Sequence, residues 1–386
     1  MRVAVNLEQI LSPSPGGVGR YSAKLAGNLV RIGVDVQPVV ARHSAGQLAA
    51  AWGEFGLQEL PRPLVLPLPR PLLYDAWHVV GWPPRRWPPD VDIVHAPSLA
   101  VPPKNGKPLV VSVHDAAPWL FPEAFTARGR WFHAMGARAA SRRADLVITG
   151  TAAAAEEVAA HMSVPAERIR VVPYGVDAPG ARPSPDETEG VLRRYGLTGM
   201  PYVLWVGSLE PRKGVGTLVA AMAQLAGGPG AGPAGGAGPV PVLVLAGYAG
   251  WQNSALLPAP ELARLGQGFR QIGRVTDAEL QALYSSAALF AFPSLHEGFG
   301  LPVLEAMAAG APVVASDIAA IREVAGDAAV LVPPGDAGTW AAAIEALLAD
   351  GPRRAEMAEQ GRRRAALFSW AATAAATLEV YRELMP

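Results

Sequence analysis

The chain predicts two doubly wound α/β domains in tandem, and three observations carry that expectation. Its 386 residues exceed one ordinary α/β domain and fit two of roughly 150–200 residues each. Half of them are apolar, so each half is able to bury a core. Short β-branched runs also alternate with longer Ala- and Leu-rich stretches along most of the sequence, the pattern of parallel strands covered on both faces by helices.

In the first half the expected strands are 2–7, 34–40, 91–95, 109–113, 146–149 and 169–172. In the second they are 202–206, 242–246, 269–272, 289–292, 312–315 and 329–332. Between them, Tyr21 to Val30 reads as a helix, and Thr276-Asp277-Ala278-Glu279 reads as a capping box opening another. Gly310 is placed as a C-cap after 304–309. The seam between halves is expected in the Pro-, Gly- and charge-rich stretch 177–189, giving domains 1–178 and 179–368 and a terminal helix, 369–386. Stretch 226–239 is nearly all Gly, Ala and Pro and reads as a surface loop, while 44–88 carries no usable motif.

Charge and composition remove several classes. Basic and acidic side chains balance at 33 each, which gives no electrostatic footprint for nucleic acid. Cysteine is absent, so neither disulfides nor thiolate metal sites are possible. The opening Met1-Arg2-Val3-Ala4-Val5-Asn6-Leu7 reads as a strand and not as a signal peptide. No apolar run reaches the ~18 residues of a membrane span, and a cytoplasmic protein is expected. Only four lysines occur, Lys24, Lys104, Lys107 and Lys213, so each is slightly more informative than usual.

The most informative stretch is Phe292-Pro293-Ser294-Leu295-His296-Glu297-Gly298-Phe299-Gly300-Leu301-Pro302-Val303-Leu304-Glu305-Ala306-Met307. Pro302 suits the first helical position, which leaves Glu297 in the preceding loop and Glu305 in the first turn. Gly298-Phe299-Gly300 permits close backbone approach at the positive end of a helix dipole, a site for phosphate. The flanking carboxylates suit sugar and ribose hydroxyls. An ordinary strand–loop–helix turn with an acidic start is the competing explanation.

These residues resemble the E-x7-E motif of the retaining GT-B glycosyltransferases of family 4. The resemblance implies two Rossmann-like domains facing across a cleft, with no metal and no cofactor. It assigns Glu297 to the donor sugar, Glu305 to the ribose, and the backbone of Gly298, Phe299, Gly300 and Leu301 to sugar and phosphate.

Other segments extend the likeness. Gly207-Ser208-Leu209-Glu210-Pro211-Arg212-Lys213-Gly214 follows a strand, where open sheets bind ligands. Adjacent Arg212 and Lys213 there suit a diphosphate, and the run is similar to the family's donor-phosphate loop, Gly207 included. Gly16 and Gly17, after the first strand, match the family's loop over the donor phosphates. His114 ends the strand 109–113 and matches a histidine near the donor sugar; Asp115 reads as capping the following turn, with contact to the acceptor as the alternative. Arg274 and Val275 lie where the family packs backbone against the base, although Arg274 also reads as simply exposed. Pro173-Tyr174-Gly175-Val176-Asp177 looks like the end of the family's first domain, with Tyr where Asn is commoner, and 369–384 resembles a helix crossing back to that domain.

Two features stand apart. Asp90-Val91-Asp92 matches the metal-binding D-x-D of single-domain glycosyltransferases but opens a strand at its amino end, away from the ligand edge; His95 and His133 lack partners at ligand spacing. Stretch 128–143, with Arg128, Arg130, Trp131, Phe132, Arg138, Arg142 and Arg143, reads as a helix burying its aromatics with arginines in water, or as a weak peripheral contact with the inner membrane face.

The expected activity is retaining hexosyl transfer from a nucleotide-sugar to an acceptor glycan, lipid or small molecule, with Arg212, Lys213, Glu297 and His114 central. The likeness of Val113-His114-Asp115 and Phe121-Pro122-Glu123 to bacterial mannosyltransferases points to GDP-mannose. One rival is a non-catalytic nucleotide-sugar-binding or assembly subunit, which loss of a motif charge would mark; none is lost. Others are a GT-B sugar-nucleotide epimerase and a phosphorylase, the latter needing a buried lysine for pyridoxal phosphate.

Overall fold

The structure, a computed structural model, describes residues 1–82, 90–177, 183–227, 241–248 and 256–385. Most of the Gly/Ala/Pro stretch 226–239, from 228 on, lies outside the described residues, as do 178–182 of the expected seam. The chain forms two compact units: Met1–Gly175 with Phe368–Pro386, and Val176–Leu367.

Among the described residues the first unit holds β1 (Arg2–Asn6), β2 (Asp35–Val40), β3 (Leu64–Val65), β4 (Ile93–Ala96), β5 (Leu109–Ser112), β6 (Leu146–Thr149) and β7 (Ile169–Val171). They lie in the order β3-β2-β1-β4-β5-β6-β7, every pair parallel. The second unit holds β8 (Tyr202–Val206), β9 (Val242–Ala246), β10 (Phe269–Gly273), β11 (Leu289–Phe292), β12 (Val313–Ser316) and β13 (Val330–Val332). Their order is β10-β9-β8-β11-β12-β13, again all parallel. Both are Rossmann-like sheets, as expected. β4, β5, β6, β9, β11 and β12 are buried along their whole length, as sheets covered on both faces require.

Each sheet has one topological switch point. The chain winds outward from β1 through β2 to β3, then crosses to β4 on the other side of β1; the second unit repeats this at β8 and β11. Reversal of winding parts the loops beyond the carboxyl ends of those two strands and opens a crevice there.

Strands 146–149, 202–206, 242–246 and 289–292 fall where the sequence places them, and the other expected strands shift by one or two residues at one or both ends. β3 lies in the stretch without a motif; two half-buried residues are too short to show alternation. The helix expected over 21–30 spans Gly16–Arg31, so Gly16 and Gly17 form its first turn and not a separate loop. Gly16 supports this entry with φ +58°, a conformation glycine adopts without Cβ strain.

The Thr276 capping box is present: Glu279 N donates to Thr276 Oγ1 at 3.2 Å and Thr276 N to Glu279 Oε2 at 2.8 Å. Gly310 ends the helix Leu301–Ala309 at φ +85°. That helix begins at Leu301, one residue before the expected start, with Pro302 inside its first turn. Glu305 is consequently the fifth helical residue and falls beyond the first turn.

Helix Ala127–Arg143 buries Gly136, Ala137, Ala139 and Ala140. Its inward face is therefore made of small residues, and the expectation of inward aromatics holds only for Phe132, which packs on the core. Several arginines bond to protein: Arg128 pairs with Asp75 and lies 4.4 Å over the Trp131 ring, and Arg143 donates to Trp77 O at 2.8 Å. Among the described residues no helix is long and apolar enough to cross a membrane.

The terminal helix, Trp370–Arg382, belongs to the first unit. Tyr381 Oη lies 2.6 Å from His95 Nδ1, and Thr373 Oγ1 donates to Pro173 O at 2.8 Å. Arg170 pairs with Glu383 at 2.7 Å. A Cβ on Gly175 would fall 2.2 Å from Trp370 N, so only glycine lets the two backbones meet.

Candidate active site

In the second unit the motif residues converge on the switch point. Lys213 follows β8 and Glu297 follows β11, and the two meet with Lys213 Nζ 2.6 Å from Glu297 Oε1. Arg212 Nη1 stands 3.8 Å from Glu297 Oε2. The three side chains are only 14% (Arg212), 12% (Lys213) and 9% (Glu297) exposed, so the pairing is not that of a solvated basic loop. Lys213 Nζ also lies 5.7 Å from the Phe292 ring centroid, a cation–π distance. Burial pushes the Glu297 carboxyl up, but Lys213 and Arg212 beside it outweigh burial and hold it below the ordinary range. Glu297 is thus an ionised acceptor.

Backbone contacts weld the two loops. Leu295 N donates to Arg212 O at 2.7 Å. Gly214 takes φ +63°, and a Cβ there would fall 1.9 Å from Pro293 O. The turn Pro211–Lys213 is a short 3-10 helix, a refinement of the loop expected over 208–213. Just before it, Glu210 Oε2 accepts from Arg212 Nε at 3.0 Å and Glu210 Oε1 from Ser208 Oγ at 2.6 Å. Sequence reasoning passed over Glu210; its place two residues before Arg212 in a Glu-Pro-Arg turn was the available signal.

The other donor-site candidates of the second unit lie beyond the carboxyl ends of its strands, whereas Gly16 and Gly17 belong to the first unit. Gly207 N donates to Ala246 O at 3.0 Å, and Gly247 N to Gly273 O at 2.7 Å, tying the ends of β8, β9 and β10. Arg274 is exposed, as one reading of it expected, and its guanidinium lies 5.4 Å from the Tyr248 ring centroid; Val275 beside it is half-buried. Gly298, Phe299 and Gly300 are buried, with Gly300 at φ +93° before Leu301. Glu305 is 8% exposed and accepts from Tyr284 Oη at 3.3 Å, a partner the sequence did not reveal.

In the first unit His114 lies two residues beyond the end of β5. Its Nε2 donates to Pro97 O at 2.9 Å, and its Nδ1 is 2.7 Å from Tyr174 Oη. Donation to a carbonyl leaves Nδ1 to accept, and burial lowers the imidazole's affinity for a proton; the ring is neutral and held at both nitrogens. Tyr174, an unusual choice by the resemblance, thereby acquires a function in positioning His114. Asp115 caps the next turn as expected, accepting from Ala117 N at 3.0 Å.

The D-x-D pair is engaged otherwise. Arg2 pairs with Asp90, and Arg2 N donates to Asp92 Oδ2 at 2.8 Å, at the amino edge before β4. His95 bonds to Ser112 Oγ at 2.8 Å besides Tyr381, and His133 sits edge-on to Phe125 and Phe132. Among the described residues no three His, Asp or Glu side chains gather as a metal site.

Known proteins share this sequence pattern and fold. Residues 193–364 match the family described as glycosyl transferases group 1, and 15–178 match glycosyltransferase family 4. The O-antigen chain mannosyltransferase B of Escherichia coli is 28% identical over all of both chains. The D-inositol 3-phosphate glycosyltransferase of Kineococcus radiotolerans is 30% identical, covering 95% of this chain and 90% of its own. Among solved structures, Anabaena HepE in complex with UDP and glucose aligns over 100% of both chains at a TM-score of 0.75 and 22% identity. With both Rossmann-like units and both matches in place, the chain belongs to the GT-B glycosyltransferases of family 4.

Proposed function

We propose that the chain transfers a mannosyl group from GDP-mannose, with retention of configuration and without a metal, to an acceptor glycan, lipid or small molecule. The observation that carries this reading is the Glu297–Lys213–Arg212 cluster at the switch point of the second unit. A departing nucleoside diphosphate gathers negative charge on its phosphate oxygens, and preorganised cations there stabilise that charge more than they stabilise the bound donor. Glu210 holds Arg212 by Nε. Glu297, ionised and fixed by Lys213, accepts hydrogen bonds from donor-sugar hydroxyls. Glu305 takes the ribose. His114, held at both ring nitrogens, positions the sugar and is not assigned proton transfer. Retention follows when the acceptor attacks on the face that the diphosphate leaves.

Mannose is favoured by the full-length likeness to a mannosyltransferase and by the Val113-His114-Asp115 resemblance. Independence of metal is supported by two cations where a metal would act and by the engagement of Asp90 and Asp92 with Arg2. The test is a donor-hydrolysis screen across UDP-, GDP-, ADP- and dTDP-sugars, with and without EDTA. GDP-mannose is expected to react fastest, at a rate EDTA leaves unchanged. Preference for another nucleotide-sugar overturns the donor; a loss that Mn²⁺ restores overturns metal independence and brings Asp90 and Asp92 forward.

A further inference from the structure

The first unit contains an ionic cluster that the donor chemistry does not use. Glu8, in the turn after β1, is 0% exposed. Its Oε1 accepts from Arg70 Nε at 2.7 Å and lies 2.8 Å from His43 Nε2, and its Oε2 accepts from Ala41 N at 2.7 Å. Glu8 N donates to Asn6 Oδ1, whose amide donates to Ala100 O, each at 3.2 Å. Ala41 and His43 follow β2, Arg70 follows β3 and Ala100 follows β4, so the cluster gathers the carboxyl ends of four strands beside the β1/β4 switch point. That is where open parallel sheets receive ligands.

A buried ion pair gives little net stability, because desolvating the charges offsets their attraction, and apolar residues of similar volume do as well. Here, however, the buried carboxylate holds two partners that reach solvent, Arg70 at 24% and His43 at 13% exposure. Arg70 is gripped through Nε, and its Nη2 donates to Glu8 O at 3.3 Å, which leaves Nη1 as the donor. His43 donates Nε2 to the carboxylate, which leaves Nδ1 as an acceptor. Glu8 cancels the Arg70 charge, so the cluster has no net attraction for a free anion. A hydroxyl group fits both partners, since it accepts from the guanidinium and donates to the imidazole.

We propose that Arg70 and His43, positioned by Glu8, bind the hydroxyls of a neutral sugar ring of the acceptor. This rests on the reading of the chain as a sugar transferase and adds the chemical class of its acceptor. The test uses the full ¹⁵N-labelled chain saturated with GDP, titrated with methyl α-mannoside and followed on the Arg70 Nε–H signal, which Arg70→Lys identifies by its loss. A saturable shift is expected. His43→Ala should weaken it about tenfold, the worth of one hydrogen bond of about 1.4 kcal/mol, and Glu8→Gln should abolish it. His43→Ala replaces a partly exposed side chain and keeps the test decisive should Glu8→Gln not fold. Calorimetric GDP affinity should stay unchanged in His43→Ala. Failure of the wild type to bind GDP would sink the donor reading on a separate readout. The proposal is overturned if methyl α-mannoside, α-glucoside and α-galactoside all leave the Arg70 signal unmoved. It is equally overturned if inorganic phosphate moves that signal and the glycosides do not, or if His43→Ala leaves the titration unaltered, which would make the cluster purely structural.

Discussion

Two cations and one carboxylate set the chemistry proposed for the second unit, and single substitutions separate their roles. Lys213→Ala removes a preorganised charge from the departing diphosphate and should lower kcat by roughly 10²–10³, about 3–4 kcal/mol, with a smaller loss of donor affinity. Arg212→Lys should also be damaging, because Lys cannot offer one nitrogen to Glu210 and others to phosphate. Steady-state rates within about threefold of wild type for both, in folded protein, would return this loop to an ordinary surface. Glu305→Ala should weaken GDP and GDP-mannose alike, whereas Glu297→Ala should weaken GDP-mannose and spare GDP; calorimetric titration of both ligands decides, and equal losses throughout would refute the division. The residue types were legible in the sequence at these positions. The grip of Glu210 on Arg212 and of Tyr174 on His114 was not, because each depends on how a turn or a distant strand presents the partner.

At the scale of elements, the terminal helix is fastened through a buried base. Burial lowers the His95 pKa to about 3, while an unfolded histidine titrates near 6.5. Below pH ~6.5 the unfolded chain takes up a proton that folded His95 refuses, so stability falls with pH from about 6.5 towards 3. At pH 5 this group should cost on the order of 2 kcal/mol. His95→Gln keeps side-chain donors and acceptors near Tyr381 and Ser112 but does not titrate. Its loss of stability between pH 7 and 5 should be smaller than wild type by about that amount, as read by denaturant midpoints. Parallel pH profiles for the two proteins would contradict the assignment. The family resemblance placed this helix, and the sequence showed no partner for His95, since Tyr381 stands 286 residues away.

For the whole molecule, the first unit is discontinuous in sequence and takes its last element from the chain terminus. Truncation after Leu367 removes buried Trp370, Thr373, Ala374, Thr377, Val380 and Tyr381. At about 1.5–3 kcal/mol for each large apolar side chain, the first unit should lose several kcal/mol. Hydrogen exchange read by mass spectrometry should show lost protection in 1–175 and native protection in 176–367. Equal loss in both segments, or none, would show that the helix does not belong energetically to the first unit.

The sequence by itself determined the class of the fold, the places of most strands, the Thr276 and Gly310 caps and the family. The family rests on the resemblance carried by Glu297, Glu305, Arg212 and Lys213; the rest follows from neighbours a few residues apart: apolar periodicity, a side chain reaching its own helix end, a glycine where φ must be positive. It left undetermined the two-residue β3, and it began the helices at Gly16 and Leu301 too late, because a glycine or proline turn does not declare locally whether it already belongs to the helix. Tertiary structure decided what the polar side chains do. Sheet order sets β8 against β11 and so brings Lys213 to Glu297 across 84 residues; it sets β1 against β2 and so brings His43 to Glu8 across 35. A buried charge must find a partner wherever the fold offers one, and that partner is chosen by the order of strands in the sheet, which no local pattern contains.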